Sequence, residues 1–146
     1  MTDTARIQIE VTQEQAHAIA KALDTYTRIC IGQFDFLADL FRDGTISIAR
    51  RSSEEGERVL ASPQQCNRIE ELLNAIKAEI GHPSNGSNGI GHPDVSITAH
   101  RSYETYKALS QVLANLRDPN PMLRGVSYDG LLVRYTDDPA PKVSVN

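Results

Sequence analysis

The sequence predicts an α+β domain in which about three helices, one of them long, pack with a small antiparallel sheet and a C-terminal β-hairpin. Two stretches carry apolar residues at helical spacing behind clear capping signals. Short stretches near both ends alternate polar and apolar residues, and an Asp-Gly pair separates two β-prone runs near the C-terminus. Helices combined with a small antiparallel sheet are typical of the α+β class.

Composition and charge limit the class of protein. The 146 residues are near the commonest size of one domain, and 40% hydrophobic with 23% charged residues is ordinary for a globular protein. A formal charge of -4 argues against a protein that chiefly grips a nucleic-acid backbone. The N-terminus lacks the apolar core of a signal peptide, and no apolar run is long enough to span a bilayer. We therefore predict a single cytoplasmic domain over residues 1–146, with neither membrane nor nucleic acid as a partner.

The first predicted elements are a strand and a long helix. Arg6 to Val11 alternates polar and apolar side chains, which predicts a strand with one buried face. Thr12 and Gln15 have the spacing of a capping box, and apolar residues then recur every three or four positions. These features predict one helix over residues 12–43, followed by Gly44 in a left-handed conformation.

The length of this predicted helix has a structural consequence. A continuous helix over residues 12–43 would be roughly 45 Å long, whereas a compact domain of this size is roughly 35 to 40 Å across. The helix therefore either bends, for which Gly32 is the expected position, or extends beyond the domain and is covered by a second subunit. On this basis we predict a homodimer.

The middle of the chain predicts a second helix. Residues 45–49 alternate and are a candidate short strand, and residues 50–61 are a charged connector. Ser62-Pro63-Gln64-Gln65 supplies an N-cap, a proline in the first turn and a capping-box glutamine, so a helix begins there and ends at Gly81. This helix is expected to pack on the first.

Residues 81–93 are rich in glycine, proline and asparagine, which predicts a long, flexible surface loop. Loops of this length are often functional, but a plain connector is an equally good interpretation.

The C-terminal third predicts a helix and a hairpin. Residues 94–99 can be extended, and Ser102 can cap a third helix that ends before Pro119. Asp129-Gly130 is typical of a tight hairpin turn, and residues 142–145 are a candidate edge strand.

The sequence shows no motif for catalysis or metal binding. His82, His92 and His100 lie in one stretch around Asp94, but their spacing matches no closed zinc site, and turn chemistry explains the Gly-His-Pro triplets better. No serine elbow or phosphate loop is present. We predict no catalytic residue, no cofactor and no bound metal.

Two cysteines, Cys30 and Cys66, fall at helical apolar positions and not in a paired motif. They are expected to be reduced core residues.

Arginines and tyrosines are the remaining candidates for a binding site. An arginine fork can grip phosphate with two hydrogen bonds, and a tyrosine ring offers a face on which a base can stack. For any single residue, a surface ion pair or a core tyrosine is the simpler interpretation. A glutamine beside the apolar stripe of the first helix adds a polar group. The predicted ligand-binding residues are Arg28, Gln33, Arg101, Tyr103, Tyr106 and Arg124.

The first helix resembles a group of small, largely uncharacterised proteins encoded by bacteriophages and prophages. The resemblance lies in Thr12-Gln13-Glu14-Gln15, in Ala22-Leu23-Asp24-Thr25-Tyr26-Thr27-Arg28-Ile29 and in Gly32-Gln33-Phe34, with a weaker similarity at Arg101-Ser102-Tyr103-Glu104. This chain has Ser110 and Asn115 where the group usually has a cationic and an aromatic residue. The resemblance implies a phage accessory protein that acts in an infected bacterium.

Three functional hypotheses follow. The first is a non-enzymatic, dimeric counter-defence factor that sequesters a small nucleotide-derived signalling molecule, with Arg28, Arg101 and Arg124 on phosphates. The second is an interaction protein that inhibits a host protein or other macromolecule through the first helix and the 81–93 loop. The third is an enzyme acting on a nucleotide, which would depend on His92 or His100.

Overall fold

A computed structural model describes residues 5–48 and 59–146. Within these residues every regular element is a helix, and no β-strand is present. The α+β prediction, with its antiparallel sheet and C-terminal hairpin, is therefore wrong. The elements are α1 (Gln13–Cys30), α2 (Phe36–Arg42), α3 (Pro63–Glu79), α4 (Ile97–Arg117) and a short 3-10 helix (Val126–Asp129).

The predicted long helix is two helices, α1 and α2. Gly32 has a φ of +86°, a left-handed conformation that glycine adopts without strain and that ends the helix. Its N–H donates to Ile29 O, and the N–H of Gln33 donates to Arg28 O, which is the Schellman pattern of helix termination. One helix over residues 12–43 is therefore wrong, and the chain breaks at Gly32, where a bend was predicted.

Two predicted helix starts are confirmed. Thr12 and Gln15 exchange hydrogen bonds of 2.9 and 3.2 Å between side chain and backbone. Ser62 and Gln65 form the same capping box at 2.9 and 3.1 Å. Each box satisfies two backbone amides that would otherwise lack a partner.

The start of α4 differs from the prediction. Ser96 caps the helix by accepting a hydrogen bond of 3.2 Å from the N–H of Ala99, so α4 begins with the next residue. Residues 97–99 are consequently helical and not extended. Ser102 lies inside α4, where its buried hydroxyl donates a 2.9 Å hydrogen bond to Leu23 O of α1. The earlier serine takes the capping position because it comes first in a continuous helical run.

The predicted strands are absent from the described residues because none of them forms a ladder of backbone hydrogen bonds with a second segment there; Ile48 alone donates to Val59 O. Residues 6–11 have no regular structure and are exposed, and residues 142–145 are equally irregular. Residues 45–48 form no strand, and the rest of the 45–49 strand and most of the 50–61 connector lie outside the described residues. Alternation over five or six residues permits an extended segment, but a ladder requires a second segment beside it.

The predicted hairpin around Asp129-Gly130 is replaced by the 3-10 helix. Gly130 has a φ of +67°, and the side chain of Gln111 on α4 lies against it. The Gln111 amide donates to Tyr128 O at 3.0 Å, and the Tyr128 hydroxyl donates to Asp118 O at 3.0 Å. Because α4 and the residue after it supply these bonds, the segment folds against the helix and not against a neighbouring strand.

The chain divides into two compact units. The terminal unit comprises Met1–Thr27 with Ser96–Asn146, and the central unit comprises Arg28–Val95. The single domain over residues 1–146 stays a prediction. None of the helices in the described part of the chain combines the length and apolar character that crossing a membrane requires.

Each unit has its own core. In the terminal unit, Ala16 and Ala20 of α1 pack with Leu113 of α4, and Tyr106 and Leu109 cover them. In the central unit, α2 packs on α3. The second predicted helix thus packs on what was predicted to be the end of the first, whereas the beginning of the first helix packs on α4.

The 81–93 loop contains neither helix nor strand, as predicted. Hydrogen bonds hold it at several points within the central unit. The N–H of Gly86 donates to Pro83 O, and the N–H of Asn88 donates to Ile31 O, both at 2.9 Å. Its flexibility stays a prediction.

Lys77 of α3 joins this loop to the start of α2. Its ammonium donates to Ser84 O at 2.8 Å and to the Asp35 carboxylate at 3.0 Å, and the Lys77 side chain is only 1% exposed. Desolvation by burial opposes the charged form of Asp35, but the hydrogen bond from Lys77 contributes to a net lowering of the Asp35 pKa.

Candidate functional site

The six predicted ligand-binding residues are divided between the units. Arg28 and Gln33 belong to the central unit, and the other four belong to the terminal unit. Each group is described within its own unit.

Arg28 and Gln33 contact each other. The Arg28 guanidinium donates to Gln33 Oε1 at 3.0 Å, and its Cζ lies 5.6 Å from the centre of the Phe36 ring. Because Gln33 also closes the end of α1 through its backbone N–H, this pair connects the last turn of α1 to the first turn of α2. Arg28 thus stabilises the helix break through a hydrogen bond and a cation–π contact.

Tyr103 lies in a group of three aromatic rings in the terminal unit. The Tyr135 ring stacks on His100, with centroids 5.2 Å apart and an interplanar angle of 22°, and meets the Tyr103 ring edge-on at 5.8 Å. We call His100, Tyr103 and Tyr135 the ring cluster. Burial, followed by the neighbouring Tyr135 and Tyr106, raises the pKa of Tyr103, so its hydroxyl stays protonated at neutral pH.

Arg101 follows His100 directly and is paired with a carboxylate. Its Nε donates to Asp138 Oδ2 at 2.5 Å and its Nη2 donates to Oδ1 at 3.3 Å, so both carboxylate oxygens are engaged. Both side chains are about half exposed. The hydrogen bonds of this pair lower the pKa of Asp138 and raise the pKa of Arg101. The fork that was predicted to grip phosphate therefore holds a carboxylate of the same chain.

Glu104 positions the segment that carries Tyr135. The Glu104 carboxylate is 2% exposed and accepts hydrogen bonds from the N–H groups of Tyr135 and Thr136 at 2.7 and 2.9 Å. It also accepts from the Thr136 hydroxyl at 3.0 Å and from Arg134 Nε at 2.8 Å. Burial favours the neutral acid, but these donors outweigh it and lower the pKa of Glu104. Ionised Glu104 consequently fixes residues 134–136 against α4.

Tyr106 and Arg124 have other surroundings in the terminal unit. Tyr106 packs on the cluster of Ala16, Ala20 and Leu113, which makes it part of the core wall. The Arg124 Cζ lies 5.6 Å from the centre of the buried Tyr128 ring. Among the predicted residues of this unit, only Tyr103 belongs to the ring cluster.

No protein-family model, curated protein or solved structure matches this chain. The candidate site is therefore defined by its own geometry.

Sequence reasoning gave no ligand-binding role to four residues that shape this site. Tyr135 and Arg134 come just after the predicted hairpin strands, and Glu104 and Asp138 were given no role. Glu104 carried one usable signal, since it belongs to the Arg101-Ser102-Tyr103-Glu104 run on which part of the resemblance rests. Tyr135 and Asp138 carried none, because only the path of the C-terminal segment brings them to α4.

The histidines considered for zinc are divided between the units. His82 and His92 belong to the central unit, and His100 belongs to the terminal unit. The His92 Nδ1 accepts a 3.2 Å hydrogen bond from the N–H of Asp94, which is turn chemistry. In residues 5–48 and 59–146, no group of three or more His, Cys, Asp and Glu side chains is placed to hold a metal ion.

Both cysteines are free thiols. Cys66 is buried, as predicted, and Cys30 is half-buried.

Proposed function

We propose that this protein is a non-enzymatic binding protein that sequesters a small nucleotide-derived signalling molecule. The observation that supports it is the ring cluster, which Arg101 and Arg134 flank in the sequence as neighbours of His100 and Tyr135. Aromatic faces take up nucleobases by stacking, and arginine forks bind phosphates. Both kinds of group lie in one unit, which is what a ligand with a base and a phosphate requires.

Arg101 gives the proposed site a defined position for an anion. Both carboxylate oxygens of Asp138 accept hydrogen bonds from the Arg101 guanidinium, and a phosphate can accept two hydrogen bonds from it in the same way. A ligand phosphate would displace Asp138, and the exposure of this ion pair keeps the cost of the exchange small. The base would then stack on the ring cluster.

The first experiment is a thermal-shift screen of the full chain against cyclic dinucleotides and ADP-ribose derivatives. A ligand at one hundred times its Kd stabilises by about 2.7 kcal/mol, which corresponds to a rise in Tm of roughly 5–10 °C for this chain length. Tyr135→Ala should abolish the shift. Arg68→Gln, which removes an exposed arginine of the central unit, should leave it unchanged. Absence of a shift with every compound would leave the small-molecule proposal without support.

A pair of variants separates ligand binding from simple damage to the fold. Asp138→Asn removes the carboxylate that competes for Arg101, so we expect it to tighten binding by roughly three- to ten-fold. Arg101→Gln should weaken binding, although both variants break the same ion pair. Isothermal titration of the compound found in the screen measures both constants. Equal weakening by the two substitutions would show that the ion pair acts only on stability.

The biological setting we propose is that of a phage-type counter-defence factor in the bacterial cytoplasm, and the resemblance of the first helix supports it. Expression of the chain should raise the plating efficiency of a sensitive phage on a bacterium that defends itself with a nucleotide signal. Tyr135→Ala should fail to do so at the same protein level. If the wild type and Tyr135→Ala protect the phage equally, the protection does not depend on the ring cluster.

A second candidate function is inhibition of a host protein. It is favoured by large apolar side chains that follow α4 and lie exposed to solvent, among them Met122, Leu123 and Val126. Exposed apolar patches mark protein contacts when they are contiguous. Pull-down from a bacterial lysate with the wild type and with a Met122→Ser and Leu123→Ser double variant tests this candidate. A stoichiometric partner lost in the double variant would favour it over the small-molecule proposal.

A further inference from the structure

The segment from residue 5 to residue 11 precedes α1, has no regular secondary structure and is exposed. Ile7 is 88% exposed and Ile9 is 71% exposed, which is unusual for two isoleucines so close together. Among the described residues, none forms a hydrogen bond with the backbone of this segment. The capping box of Thr12 and Gln15 begins directly after it. The segment therefore offers exposed apolar side chains together with backbone donors and acceptors that are not paired with any described residue.

Its sequence is complementary to itself when two copies run antiparallel. With Gln8 of one copy opposite Gln8 of the other, Ile7 faces Ile9 and Arg6 faces Glu10. A two-fold axis repeats each of these pairs, so the ribbon contains two apolar pairs and two pairs of opposite charge. Directly opposite residues of this kind stabilise antiparallel strands.

We propose that residues 6–10 pair with the same residues of a second copy of this chain to form an antiparallel ribbon at the two-fold axis of a homodimer. The charge pairing of Arg6 with Glu10 selects a second copy as the occupant and also selects the register. Moving the two-fold axis by one residue, from Gln8 to Ile9, would instead place Arg6 opposite the uncharged side chain of Thr12. A two-stranded ribbon alone is marginal in water, so a stable dimer requires further burial of the exposed Ile7 and Ile9 side chains.

A charge-exchange experiment tests the register. The Arg6→Glu variant has glutamate at positions 6 and 10, and the Glu10→Arg variant has arginine at both of these positions. Each variant alone places like charges opposite each other, so we expect the dimer Kd to rise roughly ten-fold. An equimolar mixture restores both opposite pairs, and sedimentation velocity should show a heterodimer with a Kd close to that of the wild type.

Cross-linking provides a second measurement on the full chain. Gln8→Cys places two thiols opposite each other, where the Cα atoms of paired strands are roughly 4.5 to 5.5 Å apart and a disulfide fits. Ala5→Cys is the matched control, because its two copies would be separated by six residue steps, or about 20 Å. Mild oxidation should therefore cross-link the Gln8→Cys variant and leave Ala5→Cys at the level of the wild type, which keeps Cys30 and Cys66.

Two results would overturn the proposal. One is a chain that stays monomeric at every concentration tested. The other is a dimer in which the charge-exchange mixture recovers nothing and the two cysteine variants cross-link to the same extent. Either would assign the exposed isoleucines to something other than a second copy.

Discussion

Gly32 is subject to two separate constraints. Its φ of +86° is unfavourable for any residue with a Cβ, and a Cβ at this position would lie 2.8 Å from Cδ2 and Nε2 of the His82 ring. We expect Gly32→Ala to lower the free energy of unfolding by about 1–3 kcal/mol, because both the backbone and the His82 side chain must adjust. Urea denaturation followed by circular dichroism measures the change.

The control for this substitution is Gly89→Ala. Gly89 has no heavy atom within 4 Å of the position that a Cβ would take, so alanine there should be neutral or slightly stabilising. A double variant of Gly32→Ala with His82→Ala relieves the close contact and keeps the unfavourable φ. If Gly32→Ala is as stable as Gly89→Ala, the left-handed turn between α1 and α2 does not persist in solution.

Glu104 makes the stability of the terminal unit depend on pH. Its pKa is lowered in the folded chain, so the stabilisation is complete above the unfolded value of 4.5 and is lost as pH falls through the lower, folded value. We expect the free energy of unfolding to decrease as pH falls below about 4.5, and Glu104→Gln to reduce that dependence. At pH 7 the same substitution should cost about 1–3 kcal/mol, because a buried carboxylate with several donors becomes a neutral amide.

The measurement for Glu104 is denaturant unfolding at a series of pH values. Glu79→Gln is the matched control, since Glu79 is an exposed residue at the end of α3. Parallel pH profiles for the wild type and Glu104→Gln would contradict the assignment of a lowered pKa to this residue.

The residues of the candidate site were only partly predictable. Arg101 and Tyr103 stood out by residue type, because a fork and a ring have recognisable chemistry on their own. Tyr135 did not, since its position against His100 depends on the hydrogen bonds that Glu104 makes to the backbone of the C-terminal segment. Because those bonds join residues about 30 positions apart, no local sequence pattern predicts them.

At the scale of elements, Lys77 holds three pieces of the central unit together. Its ammonium joins α3 to Asp35 before α2 and to Ser84 in the loop. We expect Lys77→Met to lower the free energy of unfolding by about 1–2 kcal/mol, because Ser84 O loses a charged donor while the exposed Asp35 carboxylate is solvated.

Hydrogen exchange locates the effect of Lys77→Met. The amides of Gly86 and Asn88 lie in the loop and donate to backbone oxygens, so they should exchange faster when the loop is released at Ser84. Lys142→Met removes an exposed lysine from the terminal unit and should change neither amide. Unchanged exchange in Lys77→Met would mean that the loop is held without the lysine.

The helices were predictable because they carry local signals, whereas the predicted strands rested on alternation alone and were wrong. The capping boxes at Thr12 and Ser62 form between residues three positions apart, so the sequence contains both partners. Gly32 also carried its signal, but whether the helix would bend or stop there depended on the Schellman bonds and the packing of α2 on α3. The alternation at residues 6–11 states only that an extended segment is possible, and its pairing partner must come from elsewhere.

At the scale of the whole molecule, the terminal unit is built from the two ends of the chain. Ala16 and Ala20 near one end pack with Leu113 near the other, and Ser102 donates to Leu23 across a similar separation. Contacts between residues this far apart in the sequence produce no periodic pattern of side chains. The first helix was therefore expected to pack on the second predicted helix, whereas α1 packs on α4. The interpretation of Tyr106 as a core tyrosine, which was the simpler one, follows from this packing.

The proposed homodimer makes thermal stability depend on protein concentration. If the dimer dissociates on unfolding, a hundred-fold rise in concentration stabilises it by about 2.7 kcal/mol. With an unfolding entropy of about 2.1 cal/mol/K per residue, two chains of 146 residues contribute roughly 0.6 kcal/mol/K, so Tm should rise by about 4 °C. Scanning calorimetry over that concentration range measures the shift. At concentrations where the Arg6→Glu variant is a monomer, its Tm should depend less on protein concentration. An equimolar mixture of Arg6→Glu and Glu10→Arg should restore the dependence. A wild-type Tm that stays constant over this range would mean that folding and self-association are not linked.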